Sequence, residues 1–362
     1  MKINLSGTPK VIMSNEHSLF NYFGWPTATR LQNGKIAVVA SGFRRRHVCA
    51  FGKTVIAYSE NDGKTYTQPA PIIDTPLDDR DGGVACFGKS GVIVTSFNNT
   101  TEFQRDYIED SLDSSYLDCV TPQQQEKYLG SLYRVSKDCG VTFGEIYKCP
   151  VTSPHGPMEL RTGEVIWVGR SFSQNDAVQE DDCIKVYRLD VETGETQYMS
   201  TIENIEVNGI KPLLCEPHAI ETDDGKILVH IRVDHKNPDI FSLYQTESLD
   251  GGKTWTTPHR LLHNVGGSPP HIMKHSSGAL ICTYGFRGNP FHCPPFGVKA
   301  MFSFDNGKTW DVDCDIYVDD FTHDLGYPST VELEDGSLIT VFYAHSDGEK
   351  NAVIMQQKWS FK

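Results

Sequence analysis

Apolar and polar residues alternate along this chain in short runs, and glycine-bearing turns separate the runs. TATRLQNGKIAVVAS, ACFGKSGVIVTSF, PMELRTGEVIWVG, HAIETDDGKILVHIR, HIMKHSSGALICTYG and STVELEDGSLITVFY each read as strand, tight turn, apolar strand. Their turn glycines are Gly34, Gly91, Gly163, Gly225, Gly278 and Gly336. A two-residue period on both sides of a tight turn marks a β-hairpin. No long stretch keeps the 3.6-residue period of an amphipathic helix.

A second pattern interleaves with the first. The template S-x-D-x-G-x-T-[W/F/Y] occurs as SENDGKTY (59–66, with Asn61 at the Asp place), SKDCGVTF (136–143), SLDGGKTW (248–255) and SFDNGKTW (303–310). A degenerate copy, DVETGETQ (190–197), keeps Glu192, Gly194 and Thr196. Successive copies start 77, 54, 58 and 55 residues apart. Each period therefore holds two hairpins, or four antiparallel strands. Six periods predict an all-β fold, a six-bladed β-propeller of four-stranded antiparallel blades. The last unit ends in NAVIMQQKW (351–359) with no turn motif after it. PKVIM (9–13) is expected to pair with it as the missing strand, which closes the ring and removes an exposed edge. Residues 1–362 thus read as a single propeller domain. The long first interval contains residues 97–128, too polar and irregular for a blade strand. We read it as a lid-like insertion over a site.

Charge and cysteine usage narrow the classes. The net charge of −14 disfavours nucleic acid as a partner. No apolar run approaches the ~18 residues of a membrane span, so no membrane partner is expected. The start, MKINLSGTPKVIM, lacks a signal-peptide core, and a cytoplasmic protein is expected. The 10 cysteines stand singly with no C-x-x-C pair, which predicts reduced thiols and neither metal nor cofactor. The sequence sets no oligomeric state.

The repeated turn has structural chemistry. Its Asp can accept bonds from backbone N–H groups of its own turn, its Gly takes a positive φ, and its aromatic residue packs between sheets. Copies spread around a ring cannot converge on one substrate. These turns resemble the Asp boxes of the sialidase-like superfamily, and the six-fold pattern covers almost the whole chain. The resemblance is specific for the fold and weak for activity, because members cleave sialosides, cleave other glycans or only bind.

Chain direction puts the glycine turns and the Asp-containing turns on one face, so a site belongs on the other. Nine residues before each turn glycine stand Trp25, Gly82, Pro154, Glu216, Pro269 and Tyr327, and one residue earlier Gly24, Asp81, Ser153, Cys215, Ser268 and Gly326. Seven after it stand Ser41, Asn98, Arg170, Arg232, Gly285 and Tyr343. Glu216 and Arg232 are equidistant from Asp224 in the turn and are predicted cross-strand neighbours. Connecting loops add Arg44-Arg45-Arg46-His47, Arg80 and Asp81 in DDRD, Arg287, His292 and Lys299. So many cations at one mouth of an acidic protein suggest an acidic glycan or oligosaccharide as partner, gripped by the planar fork of arginine.

The resemblance implies roles. Sialidases pair a Tyr nucleophile with a Glu base, clamp the substrate carboxylate with three arginines and use an Asp as acid/base. Tyr327 in GYPSTVELEDG is similar to that nucleophile, Glu216 in CEPHAIETDDG to the base, and Arg232 to a clamp residue. A phenol suits an anionic anomeric centre because it arrives uncharged, and a nearby Glu takes its proton. Three features depart from the pattern. The first clamp Arg is replaced by Gly24, the third clamp position offers only Lys299 with Arg287 as a substitute, and the loop FRRRHVCAFG has no carboxylate. His47 or Asp81 is left as acid/base. The expected function is a divergent, retaining sialidase-like glycoside hydrolase acting on a sialic-acid-like terminal sugar. Its catalytic residues would be Tyr327, Glu216 and His47 or Asp81, and its substrate-binding residues Arg232, Arg287, Arg46, Arg80, Arg170, Lys299 and Trp25. The alternatives are a uronate-directed glycosidase or lyase using His47, and a glycan-binding propeller without catalysis.

Overall fold

The computed structural model describes residues 1–171, 183–262, 267–288, 293–345 and 351–362. Each predicted glycine-turn hairpin forms an antiparallel strand pair and continues outward into further strands. Blade 1 runs β2 (Tyr22–Arg30), β3 (Ile36–Arg44), β4 (Lys53–Ser59), β5 (Ala70–Ile73). Blade 2 runs β6 (Val84–Phe87), β7 (Gly91–Phe97), β8 (Ser131–Ser136), β9 (Tyr147–Cys149). In blade 3 the first strand is split into β10 (Val151–Thr152) and β11 (Met158–Glu159), both on β12 (Val165–Ser171), followed by β13 (Ile184–Leu189) and β14 (Thr196–Ile202). Blade 4 comprises β15 (Leu213–Glu221), β16 (Ile227–Asp234), β17 (Ser242–Ser248) and β18 (His259–Arg260). Blade 5 comprises β19 (Gly267–Lys274), β20 (Leu280–Phe286), β21 (Phe296–Ser303) and β22 (Asp311–Asp319).

Blade 6 holds β23 (Gly326–Glu332), β24 (Leu338–His345) and β25 (Ala352–Phe361), and β1 (Ile3–Met13) completes it. β1 pairs with β25 from Ile3 opposite Phe361 to Met13 opposite Ile354, as the sequence predicted. The second strand of each blade is buried on both sides because neighbouring blades cover both faces. This is why AVVAS, ILVHI and ITVFY are near-continuous apolar runs. Side chains such as Val38, Val55, Val341 and Ile354 form one of the cores, where the last blade meets the first.

The repeated turns are closed as expected. Asp138, Asp250 and Asp305 each accept the backbone N–H of the Thr four residues on at 2.9 Å, and Asn61 does the same for Thr65. Their aromatic residues reach the preceding blade. Trp255 Nε1 donates to Ser200 Oγ at 2.9 Å, Trp310 Nε1 to Gln245 Oε1 at 2.9 Å, and Tyr66 Oη to Gln356 Oε1 at 2.8 Å. The degenerate copy is built differently. Asp190, rather than Glu192, accepts the turn N–H groups of Glu192 and Thr193.

Blade 2 departs from the predicted register. Gly91 begins β7 opposite Phe87, and the glycine with positive φ in this hairpin is Gly88 (φ 54°). The turn is shorter than in blade 1, where Arg30 pairs with Ile36. Equivalent positions therefore slide by one. Arg80 bridges Phe97, so Asp81 takes the place assigned to Gly82, and Phe97 the place assigned to Asn98.

The insertion folds into three short helices, α1 (Thr101–Arg105), α2 (Ser111–Asp118) and α3 (Pro122–Tyr128), capped at their N-termini by Thr100, Asp110 and Thr121. It has little apolar stripe, which is why periodicity did not reveal it. Among the described residues, no helix is long and apolar enough to cross a membrane.

Candidate functional site

Four side chains at equivalent blade positions turn toward the propeller axis from a left-handed backbone. These are Trp25 (φ 53°), Asp81 (φ 51°), Glu216 (φ 49°) and Tyr327 (φ 48°). This conformation costs a non-glycine residue ~1–2 kcal/mol, so packing on both sides must enforce it. In blades 1, 4 and 6 the strand register slips just after this residue, from Gly24 to Thr27, Cys215 to His218 and Gly326 to Ser329. The bulge re-aims one side chain into the mouth. Trp25, Glu216 and Tyr327 each precede a proline. Proline suits the position because a bulge leaves one N–H without a ladder partner. W-P, E-P and Y-P were thus a legible signal for the ring.

The first half of the site is a three-residue contact. Tyr327 Oη donates to Glu216 Oε1, and Arg232 Nη1 donates to Glu216 Oε2 at 2.8 Å. Arg232 Nη2 reaches Asp234 Oδ2, also at 2.8 Å. Burial, and then the Glu216 charge, push the Tyr327 phenol well above its ordinary pKa, against the pull of Arg232. Tyr327 is therefore a neutral hydroxyl with a carboxylate placed to receive its proton.

The second half is built around His47 and Asp324. Asp324 accepts from Tyr343 Oη at 2.7 Å, Tyr22 Oη at 3.0 Å and His345 Nε2 at 3.1 Å, and lies 3.7 Å from His47 Nδ1. Burial alone would raise its pKa, but bonds from His345, His47 and Tyr343 hold it far below the carboxylate range. Just over half of the His47 side chain is open (53%), yet the surrounding walls crowd the ring. Desolvation lowers its pKa, helped by the charges of Arg80 and Arg44 and opposed by Asp324. Trp25 packs edge-on to His47 with ring centres 4.7 Å apart, and the Arg80 guanidinium lies 4.7 Å over Trp25.

These groups line a mouth with two lobes that share His47, Arg232 and Tyr327. One lobe, about 250 Å³, is polar and includes Arg80, Asp81, Arg170 and Glu216. The other, about 400 Å³, is more aromatic and includes Trp25, Phe241, Arg287 and Tyr343. Nine of the predicted site residues meet here: Tyr327, Glu216, His47, Asp81, Arg232, Arg287, Arg80, Arg170 and Trp25.

Two do not. Arg46 turns away to the insertion, where it pairs with Asp113 and Glu109 and donates to the Tyr107 carbonyl. Lys299 stays within its own blade, 3.0 Å from Asp315 and over the Phe286 ring. Arg44 is fully buried against Asp78 at 2.6 Å. His292 lies outside the described residues. Counting missed Asp324 and Tyr22, which lie in a loop and at a strand start, and it stopped two residues short of Asp234 and His345, each nine residues after its turn glycine. The lining described here carries four guanidinium groups (Arg80, Arg170, Arg232, Arg287) and four carboxylates (Asp81, Glu216, Asp234, Asp324). The mouth is dense in charge but nearly balanced, not strongly cationic. The described residues contain no cluster suited to a metal ion.

No protein-family profile and no curated protein sequence matches this chain. Solved structures do share its fold. A protein of unknown function from Dyadobacter fermentans superposes with a TM-score of 0.76 at 19% identity, covering 99% of each chain. The NanB sialidase of Streptococcus pneumoniae gives 0.69 at 14% identity over 99% of this chain and 71% of that one. An α-L-arabinofuranosidase from Fusarium graminearum gives 0.62 at 11% identity over 97% of both. The fold is therefore the sialidase-like six-bladed propeller, a scaffold shared with glycoside hydrolases of different specificity.

Proposed function

We propose that this protein is a retaining glycoside hydrolase acting on an acidic, sialic-acid-like terminal sugar. The contact of Tyr327 with Glu216, itself held by Arg232, carries the reading. Glu216 takes the phenolic proton as Tyr327 Oη attacks the anomeric carbon. A neutral nucleophile approaches an anionic centre without charge repulsion, and the proton leaves as the bond forms. Asp81 or His47 serves the leaving group and the incoming water. Arg170 and Arg287, in opposite lobes, are candidates to hold the substrate carboxylate, and Trp25 forms part of the floor.

The insertion acts as a lid in this reading. Its helices, within residues 101–128, line neither lobe but grip the loop that carries His47, through Arg45 on Asp110 and Asp113 and Arg46 on Asp113.

The test is digestion of a glycan library read by mass spectrometry, with wild type and Tyr327→Phe. Removal of an acidic terminal sugar by the wild type is expected, with a loss of ~10³-fold or more in kcat/KM in the variant. Unchanged turnover in Tyr327→Phe on every acidic glycan would end the reading. A uronate-directed enzyme or lyase is favoured by one observation, the place of His47 in both lobes of the mouth, where burial lowers its pKa. That alternative predicts loss of turnover in His47→Ala with retention in Tyr327→Phe.

A further inference from the structure

We infer that Asp324, a loop residue outside the Tyr327–Glu216 pair, is the positioning residue that fixes His47 as a proton acceptor through Nε2, and that the acid role therefore falls to Asp81. The proton assignment rests on donor and acceptor counting at both ring nitrogens. Tyr22 Oη has one proton and gives it to Asp324 Oδ2 at 3.0 Å. Its oxygen, 3.4 Å from His47 Nδ1, can then only accept. Asp324 Oδ1, 3.7 Å away, can also only accept, because an ionised carboxylate has no proton to give. Among the described residues, both groups found against Nδ1 are acceptors, so Nδ1 bears the proton.

The other nitrogen is constrained independently. Arg80 Nη2 stands 3.3 Å from His47 Nε2, and a guanidinium only donates. Nε2 must therefore present its lone pair. An imidazolium would point an N–H at the guanidinium, with Arg44 behind it. Among the described residues, the charged and titratable groups acting on the ring are Asp324, Tyr22, Arg80 and Arg44, with His345 and Tyr343 acting through Asp324 and Asp81, Glu216, Arg232 and Tyr327 lining the same lobe.

The consequence rests on the hydrolase reading above. In the first half, Tyr327 Oη bonds to the anomeric carbon as the bond to the leaving oxygen breaks; Glu216 takes the proton of Tyr327, and Asp81, 3.7 Å from Arg80 Nε, would give its proton to the leaving oxygen. In the second half, water oxygen bonds to the anomeric carbon and the bond to Tyr327 Oη breaks. The electron pair returns to Tyr327, which recovers its proton from Glu216. The proton released by water goes to His47 Nε2 as the Arg80 Nη2 bond to that nitrogen gives way, and then to solvent, and Asp81 is reprotonated from solvent.

The deciding experiment reads the ring itself. In protein labelled with ¹⁵N-histidine, long-range ¹H–¹⁵N correlation distinguishes the two tautomers, and His47→Gln assigns the signal. The wild type should show Nδ1–H with an unprotonated Nε2 near neutral pH. Asp324→Asn should shift His47 toward the other tautomer or a mixture and lower its pKa by about one unit, the size expected on losing a nearby charge. An Nε2–H wild-type tautomer overturns the proposal, and so does an unchanged ring in Asp324→Asn. If that variant does not fold, the wild-type spectrum still decides, and Tyr22→Phe gives a milder perturbation of the same nitrogen. Because the spectrum needs no substrate, its outcome is separable from loss of the hydrolase reading. Where turnover exists, the pH profile of kcat/KM should move to lower pH in Asp324→Asn together with the ring's pKa.

Discussion

A single side chain in this mouth is rarely independent of its neighbours. Arg44 shows this most plainly. It is wholly buried, and so is its partner Asp78, which also accepts the backbone N–H of Cys49 at 3.0 Å. Arg44 also donates to the carbonyls of His47 and Asp79, so one guanidinium ties the His47 loop to the strand entry that carries Arg80 and Asp81. The pair adds little net stability, because desolvating both charges offsets their attraction. Breaking it is another matter. Asp78→Ala should lower the unfolding free energy by ~3–5 kcal/mol, because a buried guanidinium loses its counter-charge. Urea denaturation would measure this, and a loss below ~1 kcal/mol would contradict the burial assigned to the pair.

At the scale of the element, the insertion is a helical brace rather than a strand. Its stability comes from caps and ion pairs, with few apolar contacts, so it belongs to the class of segments that open locally. Asp113 is its anchor, 2% exposed and in contact with both Arg45 and Arg46. Each arginine keeps a second acidic partner, Asp110 or Glu109, so the blades should survive loss of Asp113. Asp113→Ala should speed amide hydrogen exchange across residues 101–128 by ~10-fold or more, a local cost of ~1.4 kcal/mol, with exchange in the blade strands unchanged. If the insertion is a lid, KM should rise as well. Exchange equal to wild type would show that the ion pairs do not hold the helices.

At the scale of the molecule, six sheets are closed by one N-terminal strand, and an axial layer beneath the mouth is unusually rich in imidazole. His155, His218 and His271 pack with ring centres 4.6–5.2 Å apart. Burial, and then each other's charge, hold all three well below the usual histidine pKa. His230, buried between blades 4 and 5, is lowered to about 4, again mainly by burial. Each is neutral in the folded state and binds a proton more readily when unfolded. Their contribution is present above the unfolded pKa of ~6.5 and is lost as pH falls toward the folded values. For His230 alone the loss is about 3 kcal/mol by pH ~4. Asp79, raised to about 7 by burial, works in the opposite direction over the same range. Four imidazoles outweigh one carboxyl, so the urea midpoint should be nearly level above pH ~7 and fall steadily from ~6.5 to ~4. A midpoint that rose on acidification through that window would refute the neutral axial cluster.

Blade count, strand order and closure by residues 9–13 were legible from the residues alone. These depend on local periodicity and on turn residues whose backbone needs are read directly. Counting from the turns also brought Glu216, Arg232 and Tyr327 to one mouth, because equal offsets from a turn put residues at equal heights in equivalent hairpins. That counting failed in blade 2, where a three-residue turn moved the register by one and put Asp81 in the ring. Which loop cations face the axis depended on the folded ring. Arg46 and Lys299 found carboxylates elsewhere, and a long flexible side chain goes where its nearest counter-charge lies. Asp324 was equally invisible, since nothing local to HDLGYP says that Tyr22, Tyr343, His345 and His47 will converge on it from strands and loops at both ends of the chain. Periodic backbone is encoded within a few residues, whereas a proton's position depends on groups that only the closed ring brings together.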